Sequence, residues 1–157
     1  MIQEGGSVKS VKYMAVAERV MAQIQKGAFL TVRAGNDVNT MTIGWALIGF
    51  VWRMPIFMVA VRKTRHTFTI IERASDFTVS VPSGDMQEAL MFCGSKSGRD
   101  VDKYKACRLE LADALKVISP VIRTPGLHFE CRIAFKSAMD PEFLDGEYEA
   151  LYPAKDY

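Results

Sequence analysis

Apolar residues recur at helical spacing early in the chain, at Val16, Val20, Met21 and Ile24, and Gly27 follows them as a stop signal. The pattern then changes period. Phe29 to Arg33 reads as a strand, "AGND" as a tight turn, and Val38 to Trp45 as the returning strand of a hairpin. Pro55 introduces "IFMVAV", a run apolar throughout, which predicts a strand buried on both faces. A helix is expected from about Arg65 to Ala74, with Phe68, Ile71 and Ala74 on one side. "DFTVSVP" is a further strand ended by Pro82, and "SGDMQEALMFCG" a short helix capped by Ser or Asp. The polar loop "GSKSGRD" leads to a helical turn in "DVDKYKAC". "HFECRIAF" alternates, which puts Phe129, Cys131, Ile133 and Phe135 on one face. The last stretch, "DPEFLDGEYEALYPAKDY", predicts a helix followed by an extended segment.

Strands grouped in hairpins with short helices between them do not alternate regularly with helices. A doubly wound parallel sheet is therefore disfavoured, and a small β-barrel with peripheral helices fits better.

Composition narrows the function classes. The chain has 157 residues, enough for a single domain over 1–157, and 49% hydrophobic with 24% charged residues suits a globular protein. A net charge of +2 gives no electrostatic case for nucleic acid, so any positive site must be local. Cys93, Cys107 and Cys131 lack metal-ligand spacing, and the expectation is reduced, mostly buried thiols. The N-terminal residues lack the apolar core of a signal peptide, and "IGWALIGFVW" is too short to span a bilayer. These features predict a cytoplasmic protein with no membrane association. With only His66 and His128 present, no metal site is expected, and the nine methionines are expected to fill the core.

Three segments carry possible chemistry. In "VAVRKTRHTFTIIERAS", four potential cations (Arg62, Lys63, Arg65 and His66) fall within five positions beside Thr64 and Thr67. Such a turn can hold a phosphate monoester at a helix start, or it can simply be solvated. "CGSKSGRDVDKY" offers two glycines, two serines, Lys96, Arg99 and Lys103 in one loop. It could wrap an anion or be a flexible surface loop; it does not match the P-loop pattern. In "VNTMTIGW", Asn39, Thr40 and Thr42 interrupt an apolar strand, and Trp45 could stack on a planar ring or sit in the core. No G-x-S-x-G elbow or G-x-G-x-x-G element occurs.

In chain order, "NTMTIGW", "MPIFMVAVRKTRHT", "DFTVSVP", "CGSKSGRDVDKY", "ISPVI" and "HFECRI" together resemble the flavin reductase-like family, the FMN-binding split barrels that include flavoredoxins. The resemblance covers most of the chain. It implies a mainly β fold with peripheral helices, an antiparallel split β-barrel that forms a homodimer with FMN near the subunit interface. By the same resemblance Asn39, Thr40, Met41 and Thr42 line the isoalloxazine, with Trp45 near the ring. Arg62, Thr64, Arg65, His66 and Thr67 hold the phosphate and ribityl chain. Ser95, Ser97, Gly98, Arg99 and Lys103 close the phosphate side.

The implied activity is that of an NAD(P)H-dependent flavin reductase, with NAD(P)H docking transiently and no side chain acting as an indispensable proton donor. A flavoredoxin-like electron carrier serving a redox protein partner is the alternative, as is a non-catalytic split-barrel module. Family members typically continue past a position like Asp156–Tyr157 into a strand beginning His-Thr and carrying Gly-Glu. That C-terminal strand is expected to be missing from this sequence, which would leave an open barrel edge.

Overall fold

The structure, a computed structural model, describes residues 2–4 and 7–149. Its strands are β1 (Ile2–Glu4), β2 (Ser7–Lys9), β3 (Ala28–Ala34), β4 (Asp37–Ile43), β5 (Ala46–Val51), β6 (Met54–Val59), β7 (Asp76–Pro82), β8 (Leu111–Ala112), β9 (Val121–Ile122) and β10 (Gly126–Arg132). The helices are α1 (Ala17–Ile24), α2 (His66–Ile71), α3 (Gln87–Ser95), α4 (Lys103–Cys107) and α5 (Gly146–Glu149). Six strands form one antiparallel sheet in the order β2-β1-β10-β7-β3-β4, while β5-β6 and β8-β9 form separate two-stranded ladders. The ladders among the described residues leave the large sheet open between β2 and β4. The observed architecture is thus mainly β and antiparallel, with a few helices. No described helix is long and apolar enough to cross a membrane.

Strand alternation gives the sheet two different faces. One carries Leu30, Val32, Met41, Ile43, Phe77, Val79, Val81 and Leu127. It is covered by Val16, Val20 and Ile24 of the α1 region, by Ile70 of α2, and by Ile48, Phe57 and Val59 of the β5-β6 hairpin. The other face mixes Phe29 with buried polar groups. The Thr31 hydroxyl donates to that of Thr40 at 3.1 Å, and the Thr78 hydroxyl donates to the Pro120 carbonyl at 2.6 Å. The His128 ring meets the Ser80 hydroxyl at 3.0 Å. Leu90, Cys93, Leu109 and Ile122 close over Phe29 on this side. These buried hydroxyls have partners, which is the condition for keeping polar groups away from water; the buried Tyr104 hydroxyl on the same side has none.

Several sequence expectations hold locally. The β3-β4 hairpin turns at Gly35, whose φ of 60° suits a residue without Cβ, and α1 buries Val20 and Ile24. Others need correction. The strand after Pro55 is not buried on both faces: Met54, Pro55 and Met58 are exposed, and among the described residues β5 is its only ladder partner. The strand β4 ends at Ile43, so Trp45 lies beyond it. The hairpin β5-β6 turns through Trp52 and Arg53 in the left-handed region (φ 52° and 61°) without the Asn-Gly signal that would announce it.

The helix expected from Arg65 to Ala74 is confined to His66–Ile71, with Arg65 at its N-cap and no side-chain cap bond. Met86, not Ser or Asp, occupies the N-cap of α3, although Asp85 Oδ1 accepts from the Gln87 N–H at 3.1 Å. The strand β10 stops at Arg132, so Phe135 falls outside it, exposed, with its ring edge against Trp52. The methionines do not mainly fill the core: Met14, Met54, Met58, Met91 and Met139 are exposed, and Met41 is buried. Of the expected C-terminal helix, the described residues include α5, and the extended segment expected after it lies outside them.

Candidate functional site

The strand β4 ends the six-stranded sheet, so among the described residues the groups on its outer edge have no strand partner. At this edge the two covering layers meet, α2 from one face and α3 with α4 from the other. Asn39 and Met41 point to the α2 side. The Asn39 Nδ2 donates to the Thr67 hydroxyl at 2.7 Å and so fixes the start of α2 against the strand. On the opposite side the Thr42 hydroxyl donates to the Leu90 carbonyl of α3 at 2.6 Å.

Two cations bind the layers together. Lys103 is 4% exposed, and its ammonium donates to the Thr40 and Cys93 carbonyls, both at 2.9 Å. Burial pulls its pKa below the usual lysine value, and the Arg65 charge adds to that pull. Arg65 Nη1 donates to the Gly94 carbonyl at 2.8 Å, reaching from the start of α2 to the end of α3.

The junction encloses a cleft of about 70 Å³ lined by Asn39, Met41, Thr64, Arg65, His66, Thr67, Cys93, Ser95, Lys96, Ser97, Gly98 and Lys103. Gly98 brings the loop close: a Cβ there would stand 2.1 Å from Asn39 Oδ1 and 3.1 Å from His66 Cδ2. His66 Nδ1 is buried without a hydrogen-bond partner. Burial lowers the His66 pKa, and Arg99 and Lys103 lower it further against weaker opposition from Asp37 and Asp100. The ring is therefore mainly neutral at pH 7.

Of the fifteen residues assigned from sequence, ten line this cleft: Asn39, Met41, Thr64, Arg65, His66, Thr67, Ser95, Ser97, Gly98 and Lys103. Five stand outside its lining. Thr40 turns its hydroxyl into the buried network with Thr31 and offers only its carbonyl to Lys103. Thr42 is occupied with Leu90. Arg62 and Trp45 stack on one another, the guanidinium carbon 4.5 Å from the ring centroid, so one face of the indole is covered from within the chain. Arg99 is exposed but close enough to act on the His66 charge. Cys93 and Lys96 complete the lining and were not assigned from sequence. Lys96 lies within the anion-loop segment and could have been included on that ground. Nothing in the local pattern marks Cys93.

Three cations, four hydroxyls and an orphan imidazole nitrogen, with no carboxylate among the described lining residues, form a donor set for an anion. The volume admits a phosphate-sized group, not a planar three-ring system, which would have to lie outside the cleft. The residues present thus fit the phosphate end of FMN.

Comparison with known proteins agrees with the sequence resemblance. The family model of the flavin reductase like domain matches residues 22–145. A protein of Archaeoglobus fulgidus without an assigned function is 27% identical over 105 residues, 67% of this chain; the match spans 59% of that relative's length. The structure of an FMN-binding domain of a flavin reductases-like enzyme from Shewanella baltica is similar with a TM-score of 0.68 at 19% identity. It covers 92% of this chain and 70% of that one. The flavoredoxin of Methanosarcina acetivorans gives a TM-score of 0.64 at 25% identity over 72% of this chain and 59% of its own. On the extent of the family match, the chain belongs to the flavin reductase-like domain family.

Proposed function

We propose that this chain is an FMN-binding oxidoreductase of the flavin reductase type, cytoplasmic and taking reducing equivalents from NAD(P)H. The observation that carries the reading is the cleft itself, where a strand edge, a cationic helix start and a glycine-closed loop leave a cationic phosphate-sized space. Thr64, Arg65, Ser95, Lys96 and Ser97 would hold the phosphate by charge and hydroxyl donation. Lys103 positions the β4 edge and α3 from below, since both its bonds go to backbone carbonyls. Bound FMN supplies hydride-transfer chemistry that no side chain here provides. The chain's part is to bind it, to orient it along the outer edge of β4 near Met41, and to exclude water from one side.

The same reading includes a homodimer closing a split barrel. On the β5-β6 hairpin, Ile48 and Phe57 face the core, so the pairs Leu47–Met58 and Val51–Met54 face outward, and all four are exposed. A row of four apolar side chains on one face is the kind of surface a second copy covers. An electron carrier that serves a redox protein partner would use the same cleft, and no specific observation favours it.

The test is the visible spectrum of the purified protein after loading with FMN, followed by steady-state NAD(P)H oxidation. Bound-flavin absorbance with turnover is expected. A colourless protein that takes up no FMN in calorimetry would overturn the proposal, and flavin binding without turnover would reassign the chain as a carrier.

A further inference from the structure

After β10 the chain leaves the body of the domain. Ile133 still packs against the core, and the Lys136 ammonium donates to the Ile71 and Glu72 carbonyls at 2.8 and 2.9 Å, which ties the segment to the end of α2. Past that tie, the hydrogen bonds of residues 137–148 run within the segment. Asp140 Oδ1 accepts from the Glu142 N–H and Asp145 Oδ1 from the Glu147 N–H, both at 3.0 Å. These two caps hold the turn Pro141–Phe143 and α5 in shape without help from the sheet. Apart from Leu144 every residue of 137–148 is exposed; Phe143 reaches 86% and Tyr148 50%. A shaped segment that presents aromatic rings to water is the signature of a surface made for another molecule.

Charge says what that molecule is. Residues 137–148 carry Asp140, Glu142, Asp145 and Glu147 and no Lys or Arg, whereas residues 1–136 carry 19 Lys or Arg against 12 Asp or Glu. The near-neutral total therefore conceals a basic body and an acidic arm, each the electrostatic complement of the other. The apolar part has its complement in the same chain. Leu47, Val51, Met54 and Met58 form the outward row of the β5-β6 hairpin, and the exposed cations Arg53 and Lys63 stand beyond the two ends of β6. Within one chain the arm starts beside this hairpin, with the Phe135 ring edge-on to Trp52 at 5.9 Å, yet both Phe143 and the outward row remain exposed.

We propose that residues 137–148 are an arm that docks on the outward β5-β6 face of a second copy of this chain. Phe143 and Tyr148 cover the apolar row, and Glu142 and Glu147, whose carboxylates are not used by the caps, face the cations beyond its ends. The strands of the hairpin are six residues long, about 20 Å, which an arm of twelve residues can span. Because each arm is rooted beside its own hairpin, a two-fold axis lets each copy give one arm and receive one. The inference rests on the homodimer of the reading above and names the segment that each copy contributes to it.

The test measures dissociation constants by sedimentation equilibrium, with circular dichroism to verify the fold. The unaltered chain should be a dimer that weakens as salt rises from about 0.1 to 0.5 M. Phe143→Ser with Tyr148→Ser, and separately Glu142→Lys with Glu147→Lys, should each raise the dissociation constant at least about tenfold. Arg53→Asp with Lys63→Asp should do the same. Mixing that chain with the Glu142→Lys, Glu147→Lys chain should restore the dimer, since both arm contacts of the mixed pair join opposite charges. A dimer that both arm variants leave intact but Leu47→Asp with Met58→Asp dissociates would mean that two hairpins meet directly; the arm would fall and the homodimer would stand. A mixture that stays monomeric would overturn this seat for the arm. A monomeric unaltered chain, whether the arm folds onto its own hairpin or binds a different protein, would overturn the arm and the homodimer together.

Discussion

Gly98 stands so close to Asn39 that a Cβ on the glycine would fall 2.1 Å from the amide oxygen, well inside any allowed contact. A side chain at this position would have to displace the Asn39 amide, which is bonded to the Thr67 hydroxyl at 2.7 Å. Gly98→Ala should push the loop outward and open the cleft. FMN affinity is expected to fall at least about tenfold, ~1.4 kcal/mol. Thermal unfolding should change little, because the residue lies in a half-exposed loop. Calorimetric titration beside a melting curve separates the two effects.

Arg65 and Arg62 should differ in a double comparison. Arg65 lines the cleft, whereas Arg62 stacks on Trp45. Loss of a charge-assisted bond at Arg65→Ala is expected to weaken FMN binding by about 1.5–3 kcal/mol while leaving lumiflavin, which has no phosphate, nearly unaffected. Arg62→Ala should have the smaller effect on the FMN-to-lumiflavin ratio. Equal losses for both flavins in Arg65→Ala would remove the phosphate from this cleft.

Lys103→Met keeps the length of the side chain and removes its three donors. Two buried acceptors, the Thr40 and Cys93 carbonyls, would lose their shared partner. Destabilisation of about 1–3 kcal/mol for each unsatisfied group is the expectation, measured by urea unfolding. A change under about 0.5 kcal/mol, the range of ordinary surface substitutions, would show that Lys103 does not tie the layers together.

Acid should destabilise the fold through its histidines. Burial lowers the pKa of His128, and burial with the charges of Arg99 and Lys103 lowers that of His66. In the unfolded chain both would titrate near about 6.5. As pH falls below that value the unfolded state binds protons that the folded state resists, so stability is full at neutral pH and declines toward the lowered folded values. His128→Gln should flatten this part of the profile, even though it lowers stability at pH 7 by disturbing the bonds to Ser80 and Thr124. Urea midpoints between pH 7 and 5 would test it, and an unchanged slope would contradict it.

The outward pairs of the β5-β6 hairpin give a test of assembly. Leu47 and Met58 oppose one another across the ladder, and both are exposed. Leu47→Asp with Met58→Asp places two like charges on this face without entering the core. Light scattering after size exclusion should show a dimer for the unaltered chain and a monomer for the double variant. A dimer that survives would move the interface elsewhere.

Local pattern determined the elements whose signals are complete within a few residues. A glycine turn between two strand patterns specified β3-β4, and the 3.6-residue period specified α1. The cationic segment and the glycine-serine loop were legible as anion-binding candidates because charge and hydroxyl content survive without a fold. Their meeting was not. Sequence separation hides that Arg65 reaches Gly94, that Asn39 reaches Thr67, and that Gly98 fits between Asn39 and His66. The same holds for burial. An apolar run such as "IFMVAV" states how much apolar surface exists, but only the neighbours of β6 decide which face is covered. The roles of Thr40 and Cys93 likewise follow from which side of the sheet and which helix they meet. Residue chemistry set which ligands these segments suit, and packing of α2, α3 and α4 against the β4 edge, unpaired among the described residues, brought them together.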